Sequence, residues 1–185
     1  MINFKASFYS HTNIQKRSPN GIYKDYKASL LELHPGSEDD YNTIRRVALK
    51  WENGNSYATD LFDVFTQEHL SESYRSVHNT RYFALCNRSN TNINPDNILG
   101  ITSFSEDNDN NGSYKLKILQ VNPLYKFGTA LRNYRHVGKA IVNTLQNLPN
   151  LKEIKLYAVD RDAEIFYEKL NFKTLANSIF MHFKR

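Results

Sequence analysis

The stretch RNYRHVGKAI, residues 132–141, places basic side chains and one of only seven glycines before an apolar run that predicts a helix. The first amides of a helix have no intrahelical partner and lie at the positive end of its dipole, so they can bind an anion. A glycine lets a phosphate approach the backbone. The pattern of Arg135, Gly138 and Ala140, R-x-x-G-x-A, therefore suits a pyrophosphate, and an ordinary helix start with a solvated basic rim stays the alternative.

Hydrophobic periodicity and turn residues predict strands and helices on both sides of this stretch. The predicted strands are 26–33, 81–87, 97–105, 113–121, 153–159 and 172–185. The predicted helices are 43–51, 59–75, 138–148 and 162–170. This order, with several consecutive strands between helices, indicates a mixed α/β fold around a central sheet.

Length and composition favour one globular domain. The chain has 185 residues, of which 40% are apolar, enough to bury a real core. We expect residues 1–25, which are polar and irregular, to form an N-terminal arm, and residues 26–185 to form the single domain. The net charge of +5 is compatible with a polyanionic ligand and is also common in proteins without one.

Several classes of protein are disfavoured by the sequence. The single cysteine, Cys86, excludes an internal disulfide and is predicted to be a buried thiol. The histidines show no metal-ligand spacing, so no metal site is expected. No segment has the roughly 20 apolar residues of a membrane span, and the N-terminus lacks the apolar core of a signal peptide. We therefore expect a cytoplasmic protein with no membrane partner.

Two motifs together resemble the GNAT superfamily of N-acetyltransferases. The R-x-x-G-x-A pattern is similar to the family's acetyl-CoA motif, Q/R-x-x-G-x-G/A, and LQVNP at 119–123 resembles the end of the strand before it. DRDAEIFYEKLNF at 160–172 is similar to the later motif N-x-x-A-x-x-[LF]-Y-x-x-x-G-F. The resemblance covers about residues 26–183. It implies an α/β (α+β) fold with a mostly antiparallel sheet of about six to seven strands and about four helices.

The sequence departs from the family pattern in three places. Asp160 stands where the family has asparagine, and Asn171 stands where it has glycine. Asparagine tolerates left-handed backbone better than most residues, so the second change is mild if the chain turns there. Extra residues also precede the glycine motif, and a rival register at 125–130, YKFGTA, fits except for the leading Arg or Gln. We prefer the later register because it matches the full pattern.

The resemblance implies which residues bind acetyl-CoA as a co-substrate. The backbone of Leu119, Gln120 and Val121 would contact the pantetheine arm. Asp160 and Phe166, from the later motif, would lie on the same cofactor. The pyrophosphate would be surrounded, largely by backbone amides, by Arg135, His136, Val137, Gly138, Lys139 and Ala140.

Tyr167 occupies the place of the family's usual general acid. A phenol with an ordinary pKa of about 10 can protonate a thiolate leaving group. Packing against the sheet, with water on the hydroxyl, is the alternative role. The general base is left unassigned, because Glu106, Asp60 and Glu68 can each be an ordinary surface carboxylate and a water chain needs none of them.

The resemblance places the acceptor amine in the region between the first two predicted helices, together with the C-terminal strands. Trp51, Tyr57, Asp60 and Asp63 combine ring faces with carboxylates, which suits an amine cation. A partly buried amphipathic helix with a polar rim explains the same residues equally well.

The leading hypothesis is an acetyl-CoA-dependent N-acetyltransferase acting by direct transfer on a primary amine of a small molecule or peptide. One alternative is a toxin-like acetyltransferase of aminoacyl-tRNA, which the positive charge permits. Another is a non-catalytic acyl-CoA-binding module. The expected partners are acetyl-CoA and an amine acceptor, nucleic acid only as tRNA in that alternative, and a homodimer is left open.

Overall fold

A computed structural model describes residues 6–51, 57–74, 79–87, 93–107, 112–125, 132–175 and 180–185. Its strands are β1 Ser7–Arg17, β2 Tyr23–Leu33, β3 Thr80–Cys86, β4 Ile98–Glu106, β5 Ser113–Val121, β6 Tyr134–Arg135, β7 Glu153–Tyr157, β8 Lys173–Thr174 and β9 Phe180–Lys184. Its helices are α1 Glu38–Trp51, α2 Tyr57–Leu70, α3 Val137–Gln146 and α4 Arg161–Glu168.

The strands form a single nine-stranded sheet in the order β6-β1-β2-β3-β4-β5-β7-β9-β8. Neighbouring strands are antiparallel except β5 and β7, which run parallel. The predicted mixed, mostly antiparallel sheet is therefore confirmed. The predicted number of strands, six to seven, is wrong because β1 and the two-residue strands β6 and β8 add to the sheet.

Two hydrophobic cores lie on the two faces of the sheet. On one face α1 and α2 cover the sheet with Ile44, Val47 and Phe65, which are fully buried against β3 and β4. On the other face α3 and α4 cover it, with Ile141 and Tyr167 among the buried side chains. Each helix therefore buries the apolar stripe that its periodicity predicts.

The N-terminal segment belongs to the sheet. β1 pairs with β2 along most of its length, from Ser7 to Arg17. The predicted SPNG turn closes the hairpin: the amide of Gly21, at φ +84°, donates to the carbonyl oxygen of Ser18 at 2.9 Å. The expectation of an irregular segment is therefore wrong for β1. Only Ile14 of this strand is buried. The strand therefore needs no apolar alternation, and its sequence shows no clear one. The boundary between an arm and a domain stays a prediction.

Three smaller observations concern the classes of protein considered above. Within the described ranges, no helix is long and apolar enough to cross a membrane. The same residues contain no group of three His, Cys, Asp or Glu side chains placed to hold a metal ion. Cys86 is buried, as predicted, and burial raises the pKa of its thiol to about 12, which makes it unreactive at neutral pH.

Candidate functional site

The parallel strands β5 and β7 separate part-way along the sheet. They pair from Ser113 to Leu116 of β5 and no further. At the next residue, Lys117, the register of β5 against β4 shifts, which marks a bulge. A bulge bends its strand away from the regular ladder. Among the described residues, β5 therefore has no strand partner on its β7 side from Lys117 to Val121.

Ion pairs fix the closed end of this separation. The carboxylate of Asp107 lies 2.7 Å from Lys115 Nζ and 2.9 Å from Lys155 Nζ, one lysine on each of the two strands. Hydrogen bonds from these two ammonium groups lower the pKa of Asp107 to about 2. The carboxylate therefore stays ionised and joins β5 to β7 at the end where they pair.

The open edge of β5 presents backbone groups to the cleft. The amide of Asn122 donates to the carbonyl oxygen of Leu99, toward β4, at 2.9 Å. Because successive strand residues direct their backbone groups to opposite sides, Val121 and Leu119 direct theirs away from β4, into the cleft. The side chain of Gln120 is buried, and its Nε2 donates to the carbonyl oxygen of Val121 at 2.9 Å. Two amides, two residues apart, are thus available at this edge.

The start of α3 lies beside that edge and has no side-chain cap. His136 precedes the helix in left-handed backbone, with φ 64°, and its side chain makes no capping hydrogen bond. The first intrahelical bond runs from the amide of Ala140 to the carbonyl oxygen of His136 at 2.8 Å. The amides of Val137, Gly138 and Lys139 therefore have no intrahelical acceptor, which is the arrangement that binds anions.

Gly138 lets α3 approach the cleft closely. A Cβ atom at this position would lie 3.3 Å from Cζ of Phe166 and 3.5 Å from Cγ2 of Val121. The space beside the glycine is thus occupied by protein side chains of α4 and β5. Sequence reasoning gave glycine the role of admitting a phosphate, whereas the structure shows that it also permits this helix packing.

The N-terminal hairpin supports the turn before α3. β6 pairs with β1, Arg135 opposite Gln15. The guanidinium of Arg135 stacks 3.6 Å from the ring centroid of Tyr23, and the Tyr23 hydroxyl donates to the carbonyl oxygen of Arg132 at 2.6 Å. Sequence reasoning missed Tyr23, because nothing in residues 18–26 indicates that they reach the turn. The rival register cannot be compared, since residues 126–131 lie outside the described part of the chain.

His136 lies in a positively charged environment. Burial lowers the pKa of its imidazole, and the charges of Lys139, Arg132 and Arg135 lower it further. The ordinary pKa of histidine, about 6.5, already lies below pH 7. Because the pKa of His136 is lower still, its imidazole is neutral near pH 7. The surrounding cations create a positive potential at the helix start.

The start of α4 has a different character. Asp160 caps this helix, and its Oδ1 accepts a hydrogen bond from the amide of Ala163 at 2.7 Å. The carboxylate is exposed and occupied by the cap. A contact between Asp160 and a cofactor stays a prediction.

Tyr167 lies in α4 and is 8% exposed. Its ring packs edge-on against Phe166 and Phe172 at centroid distances of 5.0 and 5.5 Å. Burial raises the pKa of the phenol, so the hydroxyl stays protonated at neutral pH. The turn after α4 passes through Asn171 at φ 66°, which confirms the left-handed backbone expected where the family pattern has glycine.

The predicted acceptor residues differ in their exposure. Trp51 is 2% exposed and belongs to the core between α1 and the sheet, so its ring does not face solvent. Asp60 and Asp63 are exposed on α2. The side chain of Tyr57 lies outside the described parts of the structure. Trp51 is thus in the core, whereas Asp60 and Asp63 face solvent, and the binding role of all four residues stays a prediction.

The candidate bases are also separated. Glu106 accepts a hydrogen bond from Asn79 at 3.1 Å, at the end of β4 away from Val121. Glu68 is completely buried beneath the sheet. Burial raises the pKa of Tyr82, and the charge of Glu68 raises it further. Burial lowers the pKa of Lys117, and the charge of Glu68 acts against that lowering. Glu68 is thus an electrostatic neighbour of the β5 bulge.

Solved structures share this architecture. A protein assigned to the GNAT acetyltransferase family from Desulfovibrio desulfuricans aligns with 85% of this chain and 98% of its own, with a TM-score of 0.57 and 13% identity. The chain has a GNAT-like fold. The family resemblance of its two motifs is confirmed at the level of the fold.

Complexes of the AtaT toxin also align with this chain. AtaT with acetyl-methionyl-tRNAfMet covers 85% of this chain and 94% of its own, at TM-score 0.53 and 14% identity. A mutant AtaT with the C-terminus of the antitoxin AtaR and acetyl-CoA covers 85% and 92%, at TM-score 0.52 and 18% identity. No protein-family profile and no curated protein sequence matches the chain. At these identities the likeness concerns the fold.

Proposed function

We propose that the chain is an acetyl-CoA-dependent N-acetyltransferase that transfers the acetyl group directly to a primary amine of a small molecule or peptide. The observation that carries this proposal is the contiguity of two sets of open backbone amides, one on the β5 edge and one at the start of α3. The open β5 edge ends at Val121, and Val121 and the uncapped start of α3 meet at Gly138. A long ligand with an amide-containing arm and a central pyrophosphate fits both surfaces at once.

The chain's groups match the parts of this co-substrate. The backbone of Leu119 and Val121 would bind the pantetheine arm in the manner of an added strand. The amides of Val137, Gly138 and Lys139 would bind the pyrophosphate, with the helix dipole and nearby cations favouring its charge. Phe166 packs where the two surfaces meet, so it would border the ligand. The co-substrate supplies an activated acyl group as a thioester.

Tyr167 would serve as the proton donor. In direct transfer the amine nitrogen forms a bond to the acyl carbon, the carbon–sulfur bond breaks, and the thiolate takes a proton. The buried phenol of Tyr167 stays protonated at neutral pH and can therefore donate that proton. The same burial would raise the basicity of a thiolate beside it, which keeps the two groups matched.

The acceptor side would lie on the face covered by α1 and α2, across β5 from α3 and α4. Asp60 and Asp63, exposed on α2, would attract a cationic amine. The amine must lose a proton to react, and no base is assigned. Glu68 is too deeply buried to meet the amine without an intervening group.

A thiol-release assay tests the proposal. Wild-type protein is mixed with acetyl-CoA and panels of small amines and peptides, and acetylated products are identified by mass spectrometry. We expect thiol release that depends on one amine class and yields a product heavier by one acetyl group. Tight acetyl-CoA binding without transfer to any amine would instead favour the non-catalytic acyl-CoA-binding module.

Acetylation of aminoacyl-tRNA is a second candidate, favoured by the fold likeness to AtaT in its complex with acetyl-methionyl-tRNAfMet and by the net charge of +5. The same assay with charged tRNA separates the candidates. A tRNA acceptor predicts that the apparent KM rises steeply with salt, because phosphate contacts release counterions. A neutral or singly charged small amine predicts a weak salt dependence.

A further inference from the structure

The two strands that border the cleft are joined at its closed end by one carboxylate. Lys115 of β5 and Lys155 of β7 lie directly opposite each other in the parallel ladder. Two ammonium groups in such positions repel each other. Asp107, which follows β4 and is buried, lies 2.7 Å from Nζ of the first lysine and 2.9 Å from Nζ of the second. Its carboxylate therefore converts a repulsive pair into an attractive contact between the two strands.

Backbone contacts close the outer end of the same pairing. The carbonyl oxygen of Gly112, just before β5, accepts from the amide of Lys152 at 2.8 Å and from the amide of Glu153 at 3.2 Å. Gly112 has φ +75°, and a Cβ atom there would overlap the carbonyl oxygen of Asn150, so the position requires glycine. The ion pairs of Asp107 lie between this backbone attachment and the open part of the cleft.

Leu116 and Leu156 form the floor of the cleft. They are the last pair of β5 with β7, one residue beyond the two lysines. Both side chains are buried, at 5% and 3% exposed, in the core beneath α3 and α4. Paired strands lie only about 4.8 Å apart, which leaves no space for a ligand between them. A ligand that enters along the open β5 edge therefore stops at this floor.

The proposed function directs the acyl end of the co-substrate toward this floor. With the pyrophosphate at the start of α3 and the pantetheine arm along Val121 and Leu119, the arm runs toward Lys117 at the β5 bulge. The sulfur is at the far end of the arm, and the acyl group continues from the sulfur. The distance between the bulge and the floor therefore limits the length of the acyl group.

We propose that Asp107 is a positioning residue for the acyl donor: by holding β5 to β7 beside the floor, it fixes the depth of the cleft, so that the site accepts an acetyl group and rejects a butyryl group. The inference rests on the proposed function. A four-carbon chain would have to separate Leu116 from Leu156, which moves Lys115 away from Lys155. The carboxylate that both lysines contact opposes this movement, and close-packed side chains resist added methylene groups.

Calorimetry without an amine acceptor tests the proposal with three ligands: coenzyme A, acetyl-CoA and butyryl-CoA. The wild-type protein should bind the first two with affinities within about threefold of each other, and butyryl-CoA at least about tenfold more weakly than coenzyme A. Asp107→Asn removes the charge and leaves the two lysines facing each other, so the affinity for butyryl-CoA should come within about threefold of that for coenzyme A.

Two further variants separate the ion pairs of Asp107 from a general loss of stability. Lys155→Met keeps the apolar stem and removes the charge that joins the carboxylate to β7, so the penalty for butyryl-CoA should fall at least about threefold. Glu32→Gln is the matched control, because Glu32 and Arg81 form an ion pair of 2.7 Å that joins β2 to β3, away from the cleft. It should lower stability in urea denaturation and leave the penalty unchanged.

Three results would overturn the inference while leaving the proposed function standing. One is equal affinity of the wild-type protein for acetyl-CoA and butyryl-CoA. Another is a penalty for butyryl-CoA that persists in Asp107→Asn or, if that variant does not fold, in Lys155→Met. The third is an equal fall of the penalty in Asp107→Asn and Glu32→Gln. Absence of binding of all three ligands to the wild-type protein would contradict the proposed function itself, and the inference with it.

Discussion

The two helices beside the cleft begin in opposite ways. α4 begins with Asp160, whose carboxylate accepts from the amide of Ala163 and satisfies the helix start within the chain. α3 begins with His136 in left-handed backbone and has no capping side chain. An uncapped start destabilises a helix of 10 residues unless an external acceptor binds its free amides. Under the proposed function, the difference favours α3 as the helix that binds an anion.

The division extends to chemistry. Under the proposed function, the backbone amides and positive potential of α3 would determine affinity. Tyr167 of α4, a buried phenol that stays protonated, would determine turnover. If this comparison is correct, changes at the start of α3 alter the dissociation constant of coenzyme A, and changes in α4 alter the rate of transfer or the stability.

The largest effect is expected from giving α3 a carboxylate of its own. His136→Asp keeps a residue type that tolerates left-handed backbone and places a negative charge beside the free amides. We expect the affinity for coenzyme A to fall by about 100-fold, measured by calorimetry, because two anions would compete for one site. His136→Asn is the uncharged control and should lose less than about threefold. Equal losses in both variants would show that charge at this position is unimportant.

Tyr167→Phe separates binding from chemistry. The variant should keep coenzyme A affinity within a few-fold, since the ring and its packing remain. Turnover with an established acceptor should fall by roughly 10²-fold, the range for a lost general acid. Single-turnover kinetics measures the step directly. Unchanged transfer would assign Tyr167 to packing alone.

Asp160→Ala removes the cap of α4 and should lower the free energy of unfolding by about 1 kcal/mol, measured by urea denaturation. Asp160→Asn keeps a capping side chain and restores the residue of the family pattern, so its stability should match the wild type. If Asp160 contacts the cofactor, the alanine variant would lose affinity as well as stability. A loss of affinity alone would argue against the capping role.

The smallest effect concerns pH. The pKa of His136 in the free protein lies below its ordinary value, so protonation favours the unfolded state and stability falls as pH drops below about 6.5. A bound phosphate would favour the imidazolium and raise its pKa. His136 therefore contributes an affinity gain that appears as pH falls through the bound-state pKa and is absent at higher pH.

The 3′-phosphate of coenzyme A also titrates near pH 6. It loses negative charge as pH falls, which weakens binding and so opposes the effect of the histidine. The difference in coenzyme A affinity between wild type and His136→Asn isolates the contribution of the histidine. We expect the ratio of their affinities to rise a few-fold between pH 7.5 and 5.5, by calorimetry. A flat ratio would remove His136 from the phosphate site.

The sequence predicts much of the fold where apolar residues are periodic. The four helices and β3, β4 and β5 lie within about five residues of their predicted positions. The helices bury periodic apolar faces, and β3 and β4 are buried along most of their length. β1 and β6 were not predicted. β1 buries one side chain, Ile14, and β6 has two residues, so neither produces a periodic signal.

The candidate site was likewise predicted only where its features depend on local sequence. Local motifs predicted the turn at Gly138 and the left-handed Asn171, since both depend on a few neighbouring residues. Long-range contacts determine what was missed: the bulge at Lys117, the stacking of Tyr23 on Arg135, and the ion pairs of Asp107. The burial of Trp51 is also non-local, because an aromatic residue at a helix end suits a core and a ligand site equally.

An NMR titration tests the central claim most directly. ¹⁵N-labelled protein is titrated with coenzyme A, and the shift of each backbone amide is followed. The account predicts large shifts for Val137, Gly138 and Lys139 and for Leu119 on the open β5 edge, with little change at Ala163, whose amide is held by Asp160. Shifts centred on Ala163, with the α3 amides unmoved, would contradict the account.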